Sequence, residues 1–268
     1  MGKEQHKKVK QIERNTLYRR VWGEGERIVF IHGGGIEDPG VTWAKQRELA
    51  SHYQVIVPDR RGYGQSPQRE EGPWTFEDDA ADIRTFLGDQ AHLVGFSVGG
   101  IVALVLAGLW PTSVRSLTLI EPPAFGIALD RSEVSTLVTS LRSVFHALST
   151  PEAFLVNFMK TLGWQPPESL RLSPRQRRGI EAMMQEPEPW ELEFPLEMLA
   201  TLACPKLVVS GDWHPAFVIT ADCLAYQLHA ERLLIQEMGH AAHQAGRIFN
   251  DRLIALVQSS VQHNLSPE

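Results

Sequence analysis

The sequence predicts an α/β fold: a mainly parallel sheet covered by helices on both faces, with a helical segment inserted in its second half. Three observations lead there. Short apolar runs alternate with helix-like patterns, as buried parallel strands joined by helical crossovers do. One long stretch, from Pro122 to Pro195, has no strand-like alternation. Finally, 43% hydrophobic and 22% charged residues over 268 positions is globular composition, and the length fits one large domain or one domain carrying an insertion.

The elements follow in chain order. Arg27 to Ile31 reads as a buried strand entering the glycine loop His32-Gly33-Gly34-Gly35. Trp43 to His52 has helical spacing, and Gln54 to Val57 is a second buried strand ending at Pro58-Asp59. A turn-rich loop, Arg60 to Pro67, precedes a helix from Thr75 to Leu87. There Thr75 can cap the first turn, and Glu77, Asp78 and Asp79 favour the positive end of the dipole. His92 to Phe96 is a third strand, followed by a very apolar helix from Val98 to about Leu109 that Pro111 stops. Further strands are Ser116–Ile120, Lys206–Ser210 and Arg232–Gln236. Within 122–195, Ser132 to Ala147 and Pro151 to Leu162 carry helical patterns. The segment is too long for an ordinary connection, so a lid is the expected role. The expected division is a core of residues 1–121 and 196–268 and a helical cap of residues 122–195.

Charge and cysteine content narrow the function classes. With 26 Lys plus Arg against 32 Asp plus Glu, the net charge of −6 argues against an extended polyanion-binding face, so no nucleic-acid partner is expected. Cys204 and Cys223 have neither the spacing of a zinc site nor that of a redox pair. The start, Met1 to Lys8, is charged and lacks the apolar core of a secretory signal. Gly2 invites a myristoylation reading, but His6 stands where that motif wants Ser or Thr. Lys3, Lys7, Lys8 and Lys10 read as a solvated terminus. The longest apolar run, Val98 to Trp110, falls short of the ~20 residues that cross a bilayer. A cytoplasmic protein is expected.

The chemistry gathers at strand ends. Gly95-Phe96-Ser97-Val98-Gly99 fits G-x-S-x-G between a strand and a helix, where a tight turn exposes the serine hydroxyl as a nucleophile. The Val98 N–H at the helix start is one candidate oxyanion donor; the glycine loop offers a second at Gly34, with Gly33 in reserve. Met238-Gly239-His240 follows the last strand, so His240 is the expected general base, with His243 as its competitor.

In this order, the glycine loop, Asp59-Arg60-Arg61-Gly62-Tyr63-Gly64-Gln65-Ser66, the turn at Ser97 and Gly239-His240 resemble the α/β-hydrolase superfamily over nearly the whole chain. The resemblance implies an eight-stranded, mostly parallel sheet, a helical cap, a Ser–acid–His triad and no cofactor. It also implies that the Asp59 loop is a structural turn beside the site.

The acid departs from the pattern. The family's usual position, in a G-x-x-D arrangement, is occupied by His214 in Gly211-Asp212-Trp213-His214. Glu121, directly after the strand Ser116–Ile120, is the preferred acid and Asp212 the reserve. Neighbouring strands are only ~4.8 Å apart, so shifting the acid by one strand needs a modest extra reach. Pro122 biases Glu121 towards an extended backbone. Phe96, Phe125, Trp213 and Phe217, with Ile36 and Trp43 as further candidates, would line an apolar substrate pocket.

The expected function is a serine hydrolase acting on a carboxylic ester or related acyl bond of a small, largely apolar substrate. A carbon–carbon bond hydrolase, a lactonase or a thioesterase would reuse the same triad. A small-molecule binding protein on this scaffold is the alternative from another class, because the usual acid position is vacant. A serine at the turn disfavours the related dehalogenases and epoxide hydrolases, which use aspartate there.

Overall fold

A computed structural model of the chain describes residues 16–35, 38–69 and 72–263. The N-terminal lysines, the myristoylation question and Ile36 lie outside the described residues.

Seven strands form one sheet: β1 (Arg19–Trp22), β2 (Arg27–Ile31), β3 (Gln54–Pro58), β4 (Ala91–Phe96), β5 (Val114–Ile120), β6 (Lys206–Gly211) and β7 (Glu231–Ile235), ordered β1-β3-β2-β4-β5-β6-β7. Only β1 is antiparallel, against β3; the other pairings are parallel. The count is one short of the expected eight among the described residues, and β1 is the strand that sequence reading missed. It is four residues long, opens with two arginines and buries none of its side chains fully, so it has no apolar run to betray it.

Helices α1 (Phe76–Arg84) and α2 (Val98–Leu109) lie after β3 and β4. Thr75 caps α1 as expected, and Asp78 returns the bond to the Thr75 backbone, completing a capping box. Nine of the twelve residues of α2 are buried, which explains its unbroken apolar sequence. Trp43 to His52 is not an α-helix. It forms 3-10 turns over Ala44–Ser51, because its buried anchors Trp43, Gln46 and Leu49 recur every three residues.

Between β5 and β6 the chain is helical: a 3-10 turn at Phe125–Ala128, then α3 (Ser132–Phe145), α4 (Pro151–Thr161) and α5 (Pro174–Met184), and a turn at Pro189–Glu191. Short α6 (Leu196–Ala200) leads into β6, and α7 (Pro215–Gln227) and α8 (Arg247–His263) complete the molecule. Ser173 and Gln176 form a capping box at the start of α5, a signal present in the sequence but unused in predicting that helix.

Two cores sandwich the sheet. One packs Phe76, Ile83, Ile101, Leu104 and Leu224 against it. The other packs Trp43, Leu49, Phe249, Leu253 and Val257. The inserted helices build their own cluster: Val134, Leu137 and Leu141 of α3 meet Phe125, Trp190 and Phe217. Each such side chain contributes roughly 1.5–3 kcal/mol of burial, enough to hold α3 over the C-terminal ends of the strands.

Candidate active site

Ser97 leaves β4 with φ 54° and ψ −128°, a left-handed conformation rarely adopted by a side-chain-bearing residue. The flanking glycines make this turn possible. A Cβ on Gly99 would lie 2.6 Å from the His32 carbonyl oxygen, and one on Gly95 2.6 Å from the Gly100 Cα. The Ser97 N–H donates to the Ile120 carbonyl at 2.8 Å and the Glu121 N–H to the Val209 carbonyl at 2.9 Å, so both residues continue the strand ladder.

Glu121 is fully buried. Its Oε1 accepts from the Gly211 N–H at 2.8 Å, and its Oε2 from the Trp213 indole N–H at 3.0 Å and His240 Nδ1 at 3.1 Å. Since a carboxylate only accepts, the proton sits on Nδ1 and the Nε2 lone pair faces Ser97. The Ser97 hydroxyl donates to Nε2 at 3.0 Å. The loop carrying His240 comes this close because β6 ends in Gly211, where a Cβ would lie 2.6 Å from the Met238 carbonyl carbon.

The expected extended backbone at Glu121 is not what the structure has: φ is +49°. The three donors converging on its carboxylate outweigh the local bias set by Pro122. Asp212 is exposed. His214 caps α7 instead, its Nδ1 accepting from the Ala216 N–H at 3.2 Å.

His243 is fully buried, with Nε2 3.2 Å from the Thr42 carbonyl and its ring against Trp43 and Phe96. The glycine loop is held by His32. Its Nε2 accepts from the Arg60 N–H at 2.9 Å, which leaves Nδ1 to donate to the Gly33 carbonyl at 2.7 Å. In a trans peptide the N–H of the next residue points the opposite way, so pulling back the Gly33 carbonyl turns out the Gly34 N–H. Asp59 accepts from Arg20 and from the Gln65 N–H, inside the turn beside the site.

Burial pushes the His32 pKa down to about 3, and Arg60 adds to the effect; burial likewise lowers His243 to about 3 and His92 to about 4. The folded protein keeps these rings neutral, whereas the unfolded chain protonates them below its ordinary value near 6.5. Their contribution to stability is therefore complete above that value and is lost as pH falls from 6.5 towards 3–4. A calorimetric Tm that drops steadily between pH 6.5 and 4 is the expected result; a flat or rising Tm would contradict it.

Above Ser97 and His240 lies a cavity of about 530 Å³. Gly34, Val98, Phe96, Phe125 and Phe217 line it. Much of its wall, Leu141, Phe158, Trp164, Met183 and Trp190 among it, comes from the inserted segment. These residues were missed because their helical pattern shows an apolar face without showing what it faces. Trp213 is not in the lining. It stacks on Trp164 at 5.5 Å while its N–H holds Glu121. Trp43 is buried in the core below, against Phe30 and His243.

The chain belongs to the α/β-hydrolase family: the model of the alpha/beta hydrolase fold matches residues 26–243. Among curated relatives, it is 36% identical over 106 residues to the pimeloyl-[acyl-carrier protein] methyl ester esterase of Aeromonas salmonicida, covering 39% of this chain and 41% of that protein. It is 30% identical over 172 residues to the protein of the same name from Methylococcus capsulatus, covering 63% of each. The matched stretch thus spans about two-fifths of the length of the first curated relatives. Its fold is similar to that of MenH from S. aureus, with a TM-score of 0.69 at 19% identity over 91% of this chain and 98% of that one. Among the described residues, no helix is long and apolar enough to cross a membrane.

Proposed function

We propose that this chain is a serine hydrolase cleaving a carboxylic ester, or a related acyl bond, of a small and largely apolar substrate. The observation that carries the reading is the unbroken chain of hydrogen bonds from Ser97 through His240 to Glu121 beneath an apolar cavity. Ser97 Oγ attacks the acyl carbon while His240 Nε2 takes its proton, and Glu121 stabilises the imidazolium. The Gly34 and Val98 N–H groups hold the oxyanion. His240 then protonates the leaving alcohol, and water activated by the same ring releases the acid from Ser97.

The inserted helices act as the cap. They supply the greasy wall that excludes water and receives the acyl chain. The relatives' names make the methyl ester of a carrier-bound acyl chain a substrate to try first. A cytoplasmic setting agrees with two cysteines that form no disulfide. The missing acid at the usual position motivates the alternative of a binding protein; a buried carboxylate 3.1 Å from His240 supports catalysis instead.

The test is direct. The purified protein, incubated with a fluorophosphonate probe and with short p-nitrophenyl esters, should be labelled at Ser97 and should turn the esters over. No labelling and no turnover would refute the reading.

A further inference from the structure

One charged group in the cavity wall has no part in the triad. Glu186 follows α5, is 8% exposed and lines the cavity beside the glycine loop. Its two oxygens have different surroundings. Oε1 accepts from the Tyr63 hydroxyl at 2.8 Å and from Arg69 Nη2 at 3.4 Å, and it forms an ion pair with Arg60 Nη2 at 2.8 Å. Among the described residues, Oε2 makes no hydrogen bond, and it faces Gly34, where a Cβ would lie 3.0 Å from it. Met183 closes the space alongside, 3.1 Å from that same point.

A carboxylate oxygen that opens on an apolar cavity without a protein donor is free to accept from a ligand, and the low polarity around it strengthens such a bond. Gly34 adjoins Gly33, whose own Cβ position is 3.3 Å from Ser97 Oγ. Oε2 is therefore one residue along the loop from the reacting centre. We propose that Glu186 Oε2 is a specificity-determining acceptor for a neutral hydrogen-bond donor, a hydroxyl or an amide N–H, carried by the acyl chain a few bonds from the scissile carbonyl. Arg60 and Arg69 behind Oε1, and the apolar lining in front, disfavour a cationic donor. With Asp79 also paired to Arg60, two carboxylates face two guanidiniums, so the cluster adds no net charge beside the oxyanion.

The proposal rests on the hydrolase reading and is tested by matched p-nitrophenyl esters. The 3-hydroxybutanoate is compared with the 3-methylbutanoate, and the N-acetylglycinate with the 4-oxopentanoate; each pair differs by a donor replaced with a carbon group. The donor ester of at least one pair should have a kcat/KM about tenfold or more above its isostere, and which pair responds tells hydroxyl from amide. In Glu186→Gln the amide oxygen must stay with the three donors, so its NH₂ faces the cavity and the preference should fall to about one or reverse. Should that variant fail to fold, the wild-type ratios decide alone. Ratios near one for both pairs in the wild-type protein, or a preference unchanged in a folded Glu186→Gln, would overturn the proposal. Loss of all ester turnover would instead defeat the hydrolase reading beneath it.

Discussion

Glu121→Gln should lower kcat by up to about 10⁴-fold, because a neutral amide no longer stabilises the imidazolium that forms on His240. The exposed Asp212, changed to Asn, should leave kcat within about twofold of the parent, as surface changes away from a site generally do. The reasoning is an inventory of donors. Three N–H groups converge on the two Glu121 oxygens, one on Oε1 and two on Oε2. A glutamine has one oxygen. If its NH₂ takes the Oε1 place it meets the Gly211 N–H; in the Oε2 place it meets both Trp213 and His240. Either way a buried donor is left unpaired, at about 1–3 kcal/mol, so a lower Tm should accompany the loss of activity. Steady-state kinetics on both variants decide the matter. Full activity in Glu121→Gln with activity lost in Asp212→Asn would move the acid to the turn after β6.

Ser97→Gly should abolish turnover, with kcat falling by about 10⁶-fold, and yet raise the Tm. Ser97 is held at φ 54° and ψ −128°, where a side chain is strained by about 1–3 kcal/mol and glycine is not. The entropy that glycine loses on folding offsets part of the gain. A net of about 1 kcal/mol corresponds to a rise of roughly 2–4 °C in a protein of this size. At Ser97 the proposed function and the fold thus pull in opposite directions. Scanning calorimetry of the variant provides the check, and a Tm below that of the parent would mean that the turn stores no strain.

The residues of the proposed site are legible in the sequence because each is marked locally. Gly95 and Gly99 flank Ser97 for a steric reason visible in five letters, and the run after it could only be a buried helix. Counting strands places Glu121 near Ser97, since a residue ending β5 must lie beside one ending β4. Its backbone conformation was not legible, because contacts with Gly211, Trp213 and His240, far along the chain, determine it. Trp213 and Trp43 were read as pocket aromatics on position alone. Packing turned one into a donor for Glu121 and buried the other beneath the site. Glu186 escaped notice entirely, since nothing in its local sequence distinguishes a carboxylate aimed into a cavity from one aimed at water.

The position of Glu121 at the end of β5 also divides the proposed triad mechanically. Ser97 and Glu121 are both pinned through their backbone amides to the central strands, by bonds to Ile120 and Val209. His240 hangs from a loop beyond β7, an edge strand with only one fully buried residue. Two of the three groups are thus fixed by the sheet, and the third is held by its ring contacts with Phe96, Trp213 and Phe217. Local opening starts where few groups are buried, so the loop that carries His240 is the part of the trio least anchored by the sheet's own ladder.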